Sequence, residues 1–362
     1  MLKPIINVPG SMPKIILECF CNRRFIFDAV IVNKNIKLIV NYLLGPIVFL
    51  LLIYSIYHQI VRQHNWQQSL QQIRSAIAGA AQWKIGLVFL FMFFNWGLEA
   101  RKWQLVIRSV QRINFTRAFK ATLTGITMAS FTPNRTGDYF GRMLYIEEGK
   151  RAQSVSLTIM CSFAQLIITL ITGCAGIIYL KWYLHAHQPA EQNIFHFWLN
   201  ILLTGTALML VIFLFVFFKL SWLVKLLKNN RFAGKLFSYL KVLEDFNATF
   251  LLHILSLSLL RYIVFVIQYY LMFSVFGLSL SLVETFAGMS VVFLVITIVP
   301  TFTFLTELGV RWEASIQIME LFGVGTVGIF AASFGIWFIN LIIPALIGSL
   351  LILGIKLFRI KP

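Results

Sequence analysis

A chain of 362 residues that is 59% hydrophobic and 12% charged, with a mean hydropathy of +0.82, holds more apolar residue than a soluble core of this size can use. It reads as an all-α polytopic membrane protein. The net charge of +18 would otherwise point to nucleic acid. In a membrane protein Lys and Arg gather in cytoplasmic loops and beside anionic headgroups, so no nucleic-acid partner is expected.

Residues 1–37 carry Lys3, Lys14, Arg23, Arg24, Lys34 and Lys37 against Glu18 and Asp28, the composition of a basic cytoplasmic leader. No apolar core of a cleavable signal peptide is visible there. Leu38–Tyr57 is the first expected span, and the glutamine-rich stretch 58–84 reads as a helix lying at an interface. Ile85–Ala100 is the second span, followed by a basic loop through Arg101, Lys102, Arg108, Arg112 and Arg117.

The next stretch, Phe119–Arg151, begins as a membrane segment and does not finish as one. Its uncharged part ends at Pro133 and reaches only roughly 20 Å as a helix, short of the roughly 30 Å hydrocarbon core. Arg135, Asp138 and Arg142 follow at once. Such a segment reads as a re-entrant hairpin whose tip lines a cavity, the one place where irregular backbone is tolerated at membrane depth.

Further spans are expected at Val155–Leu180, Phe197–Leu220, Leu251–Phe276 and Gly325–Phe358. Thr285–Phe304 is broken by Pro300 and reads as a second hairpin. If residues 121–134 and 285–304 dip in and return, the basic loops 101–117, 135–151 and 219–241 fall on the cytoplasmic side with both termini. The expectation is thus six full spans and two re-entrant hairpins, in one transmembrane domain over 38–358. Units of approximately 85–180 and 251–358 would form an inverted repeat, since Pro133 and Pro300 are each followed by glycine, carboxylate and arginine.

Chemistry-bearing residues sit at these points. Arg261 lies near the middle of its span, where an arginine needs a partner or a wet cavity. It either pairs with Glu284 or Glu307 to fix helix packing or binds phosphate. Arg135 and Arg142 suit a lipid headgroup because guanidinium matches phosphate oxygens two at a time. Asp138 with Arg142, and Glu307 with Arg311, also stand at helical i, i+4 spacing and could simply pair with each other. Cys19, Cys21, Cys161 and Cys174 have no disulfide or zinc spacing, and His185, His187 and His196 fit no ligand pattern. No phosphate loop, nucleophile elbow or metalloprotease motif is found. No metal, cofactor or catalytic residue is therefore expected, and an enzyme is not the first reading.

The stretches NWGLEARKWQLVIRSV and FTRAFKATLTGITMASFTPNRTGDYFGR, with the proline–glutamate hairpin near 300–313, resemble the flippase-like family named for the membrane domain of lysylphosphatidylglycerol synthase. The similarity runs over roughly 38–355, and its most specific block is Pro133, Arg135, Gly137, Asp138 and Arg142. The second hairpin keeps Pro300, Glu307 and Gly309 but lacks the family's glycine run, and no arginine stands near Trp337. The resemblance implies a multi-pass protein of the bacterial inner membrane that handles a lipid, here without a soluble synthase domain. The expected function is a lipid flippase moving a charged phospholipid or polyprenyl-phosphate headgroup. Arg101, Arg135, Arg142, Arg261 and Arg311 would hold the headgroup, and Asp138 and Glu307 would balance the charge. The alternatives are a membrane-embedded lipid-modifying enzyme using Asp138 and Glu307, or an accessory subunit of a cell-envelope synthase. Expected partners are an anionic or zwitterionic lipid, with an envelope-synthesis enzyme or a second copy of the chain as further candidates.

Overall fold

A computed structural model describes residues 82–187, 193–219, 246–299 and 304–353, together with Gln71 and Val242. The basic leader, the span Leu38–Tyr57, most of the interfacial stretch 58–84, nearly all of the basic loop 219–241, Pro300 and the last basic residues lie outside the described residues. The described residues are helical and include no strand.

Helix α1, Gln82–Ile107, is longer than the expected second span. The charges at Glu99, Arg101 and Lys102 do not end it, which corrects the loop expected from residue 101. The physical reason is pairing: Glu99 and Lys102 bond to each other at i, i+3 on a buried face that continues through Trp103, Val106 and Ile107. Gln104 then donates to the Ile113 carbonyl at 3.0 Å and closes the loop to the next helix.

Helix α2, Phe115–Ala129, starts on Asn114, whose side chain accepts from the Arg117 amide at 2.9 Å. The chain turns through a 3₁₀ segment, Pro133–Arg135, into helix α3, Gly137–Met143. Helix α3 lies back along α2 with almost nothing between them. A Cβ added at Gly141 would stand 2.6 Å from the Gly125 Cα, and one at Gly137 would collide with the Met128 carbonyl. Two glycines thus set the closeness of the hairpin. Gly141→Ala is expected to force α3 outward and destabilise the protein by about 1–3 kcal/mol, whereas Gly205→Ala, with open space at its Cβ, should leave the melting temperature unchanged or slightly raised. Thermal melts of the purified variants check both.

Helices α4, Arg151–His187, and α5, Asn193–Phe218, follow, then α6, Ala248–Val275, begun by Asn247. The second hairpin is α7, Leu282–Ile298, and α8, Phe304–Met319. Its α7 opens with a capping box in which Ser281 and Glu284 bond reciprocally. Gly288 faces Met319 and Phe322, so α8 runs back along α7 as α3 does along α2. Helix α9, Thr326–Trp337, passes through a π-turn, Phe338–Ile342, into α10, Ile343–Leu353.

Residues 148–187, 196–218, 248–275 and 328–352 are long and apolar enough to cross a membrane, and α7 is a shorter apolar helix. These match four of the six expected spans. Helix α1 is long enough but carries Lys84, Glu99, Arg101 and Lys102. The chain is an all-α membrane protein. In the bundle α1 packs on α6, α4 on α7, and α2 on α1, α3 and α10. Helix α5 is different: it leaves Phe197, Trp198, Leu208, Val211 and Phe215 exposed, as a lipid-facing helix does.

Candidate functional site

Glu99 is the hub of the bundle interior. It is 5% exposed, and three cations from three helices reach its carboxylate. Lys102 of α1 approaches Oε2 at 2.7 Å, Arg261 of α6 approaches the same oxygen at 3.1 Å, and Arg142 of α3 approaches Oε1 at 3.1 Å. Arg142 also grips Asp138 one turn earlier, through Nε at 2.8 Å and Nη2 at 2.8 Å. Lys102 donates weakly to Ser258 Oγ and the Cys161 carbonyl, at 3.3 and 3.4 Å. A lysine 1% exposed needs such partners, because an uncompensated buried charge is strongly destabilising.

Arg261 is fixed from three sides. Its Nε donates to Asn95 Oδ1 at 2.9 Å, its Nη1 meets Glu99, and its guanidinium lies 4.9 Å over the Trp96 ring. Asn95 and Trp96 are in turn held by the π-turn: Asn95 Nδ2 donates to Asn340 Oδ1 at 3.3 Å, and Trp96 Nε1 to the Asn340 carbonyl at 3.0 Å. The expected pairing of Arg261 with Glu284 or Glu307 is not what forms. Glu284 is used in its capping box, and the counter-charge of Arg261 is Glu99.

The second hairpin supplies Glu307 and Arg311, which pair at 2.9 Å one turn apart. Arg311 also donates to the Tyr269 hydroxyl of α6 at 3.2 Å. The first hairpin reaches across through Arg135, whose Nη1 stands 3.7 Å from Glu307 Oε1. Asn134 and Arg135 both adopt left-handed backbone, with φ of 49° and 58°. Two consecutive non-glycine residues in that region are sterically costly, and such strain persists where surrounding structure imposes it, often at ligand sites.

Three neighbouring cavities, of about 190, 300 and 440 Å³, meet at Arg135, which lines all of them. The first is walled by Trp96, Arg261, Glu307, Arg311, Trp337 and Asn340. The second contains Glu99, Lys102, Asp138 and Arg142, and the third runs from Asn134 along Ile296–Val299 to Arg311. Arg135, Asp138, Arg142, Arg261, Glu307 and Arg311 are therefore brought together between the two hairpins. Pro133 lies in the 3₁₀ turn at the tip and Gly137 opens α3 against Met128. Arg101 is not brought in: it is exposed and bonds Gln104 at 2.7 Å, because the helix turns it away from the face that carries Glu99 and Lys102. Pro300 lies outside the described residues.

A family model described as Lysylphosphatidylglycerol synthase TM region matches residues 39–348. The chain belongs to this family. No curated protein and no solved structure matches it. The lysylphosphatidylglycerol synthase transmembrane-region match takes in both hairpins, the Glu99 hub and all three cavities. With its apolar helices, membership makes this a multi-pass membrane protein.

Sequence reasoning missed Asn95, Trp96, Glu99 and Lys102 as one constellation. Asn95, Glu99 and Lys102 recur at i, i+4, i+7 inside an otherwise apolar helix, which puts them on one face, and that spacing was readable. Asn340 gave no comparable signal, since its role depends on a π-turn. Among the described residues no group of His, Cys, Asp or Glu is arranged to hold a metal ion. Asp138 is held by Arg142 and Glu307 by Arg311, so the geometry lends no support to acid–base work by these two carboxylates.

Proposed function

We propose that the protein moves an anionic lipid headgroup between the leaflets of the bacterial inner membrane. The headgroup passes between the α2–α3 and α7–α8 hairpins while the acyl or polyprenyl tails stay in the bilayer. One observation carries this reading: Arg135, Arg261 and Arg311 all line one cavity whose single carboxylate, Glu307, is already paired. The surplus is positive, and it lies among helices apolar enough to sit in lipid. Unassisted flipping drags a charged group through hydrocarbon, and a polar cavity lowers that barrier.

The two hairpins enter from opposite faces in this reading, with the termini cytoplasmic. The element order favours the inverted repeat, since α1, α2–α3 and α4 are echoed by α6, α7–α8 and α9–α10. Single cysteines introduced at 135 and 181 should label from opposite sides of the membrane; labelling from one side would overturn the topology. Transport is tested with the full chain in liposomes carrying a fluorescent anionic phospholipid. Wild type is expected to exchange it well above the protein-free rate, and the Arg142→Ala/Arg261→Ala variant at that background rate. Wild-type exchange no faster than the double variant's would overturn the proposal.

A further inference from the structure

The cavity beside the arginines has a chemistry of its own, and from it we infer that the headgroup carried is hydroxyl-rich and uncharged beyond its phosphate, such as a sugar or polyol phosphate. This deepens the anionic-lipid reading above and rests on it. The 190 Å³ cavity has a cationic edge, formed by Arg135, Arg261 and Arg311, and walls of a different kind. Those walls alternate aromatic rings, Trp96, Phe265, Phe293 and Trp337, with the neutral polar side chains of Gln165, Thr169 and Asn340.

A second positive group, such as an ammonium, would find no place there. The only carboxylate lining the cavity is Glu307, bonded to Arg311 at 2.9 Å and facing Arg135 at 3.7 Å. Arg261 already lies over the Trp96 ring, and the three arginines lining the cavity repel a further cation from its other rings. Bare phosphate would satisfy the arginines but leave the rest of the cavity unused. Hydroxyl groups fit what remains. Gln165 and Thr169 stand one turn apart on α4 and line both the first and second cavities. Gln165 accepts from Arg261 through Oε1, at a long 3.5 Å, and among the described residues its amide nitrogen has no bond and is left as a donor. Thr169 donates to the Gln165 carbonyl at 3.1 Å, which leaves its oxygen as an acceptor. A donor and an acceptor set side by side match a vicinal diol, and an aromatic wall suits the apolar C–H face of a polyol ring.

The test is native mass spectrometry of the purified full chain with phosphatidylinositol, phosphatidic acid and phosphatidylethanolamine as competing probes, and with water-soluble inositol phosphate in a separate arm. Phosphatidylinositol is expected to bind roughly tenfold tighter than phosphatidic acid, the effect of one or two hydrogen bonds. Gln165→Ala and Thr169→Val should each shrink that ratio to below about threefold. Equal binding of the two anionic lipids, tighter binding of phosphatidylethanolamine, or a ratio that survives both substitutions would overturn the inference. If inositol phosphate binds in a Gln165-dependent way while no lipid does, the hydroxyl subsite stands and the lipid reading falls.

Discussion

Glu99→Ala is expected to destabilise the protein by about 3–5 kcal/mol, the cost of stripping a buried cluster of its counter-charge. Three cations converge on this carboxylate, and two of them, Lys102 at 1% and Arg142 at 3% exposure, are almost fully buried. Arg142 retains Asp138, but Lys102 keeps only weak contacts to a hydroxyl and a carbonyl. Lys102 is therefore the group that suffers most. The effect is read as a lower melting temperature and loss of a monodisperse peak in size-exclusion chromatography. The Glu99→Gln/Lys102→Met pair should recover part of the loss, because it removes a cation together with the anion. A Glu99→Ala protein that melts with wild type would show that water enters the cluster freely and that the ion pairs are not what holds α1, α3 and α6 together.

Arg135→Ala has the opposite profile. Its side chain is 43% exposed and makes one loose ion pair, so stability should change by less than about 1 kcal/mol. Transport of an anionic phospholipid should nonetheless fall about tenfold or more, the worth of a charge-assisted contact to phosphate. Arg135 lines all three cavities, and no other arginine does. Arg135→Lys should restore only part of the rate, since an ammonium lacks the two-pronged fork that matches phosphate oxygens. The liposome exchange assay measures all three proteins side by side. Full activity of a well-folded Arg135→Ala protein would remove Arg135 from the pathway.

Much of this was legible in the sequence, and the parts that were not share a cause. The breaks read at Pro133 and near 300 fall where α2 gives way to α3 and between the end of α7 at Ile298 and the start of α8 at Phe304, since charge and proline interrupt the apolar runs there. The i, i+4 pairs Asp138–Arg142 and Glu307–Arg311 form as their spacing requires. Arg261 was marked as needing a partner by its depth in an apolar helix. Its actual partner was hidden, since Glu99 and Arg261 are far apart in the chain and meet only because α1 packs on α6. The end expected for the second span, at Ala100, falls inside α1, which runs on to Ile107. A local reading treats a charge as an exit to water, whereas here three opposite charges keep Glu99 inside. Asn340 was invisible for a similar reason, its carbonyl being turned toward Trp96 within a backbone irregularity that composition does not encode.

The convergence on one carboxylate has a mechanical corollary. Any rearrangement that preserves the contacts to Glu99 must carry α1, α3 and α6 as one rigid block, and the glycine-to-glycine seam binds α2 to that block as well. The α7–α8 hairpin is joined to that block through α6, by the Tyr262–Ser290 hydroxyl pair at 2.6 Å, the packing of Phe293 on Tyr262, Phe265 and Tyr269, and the Arg311–Tyr269 bond, and across the cavity by the long Arg135–Glu307 contact. The Arg135–Glu307 contact, long and half-exposed, is thus the weak clasp between one hairpin and the other, while the α6–α7 seam is bonded and stacked.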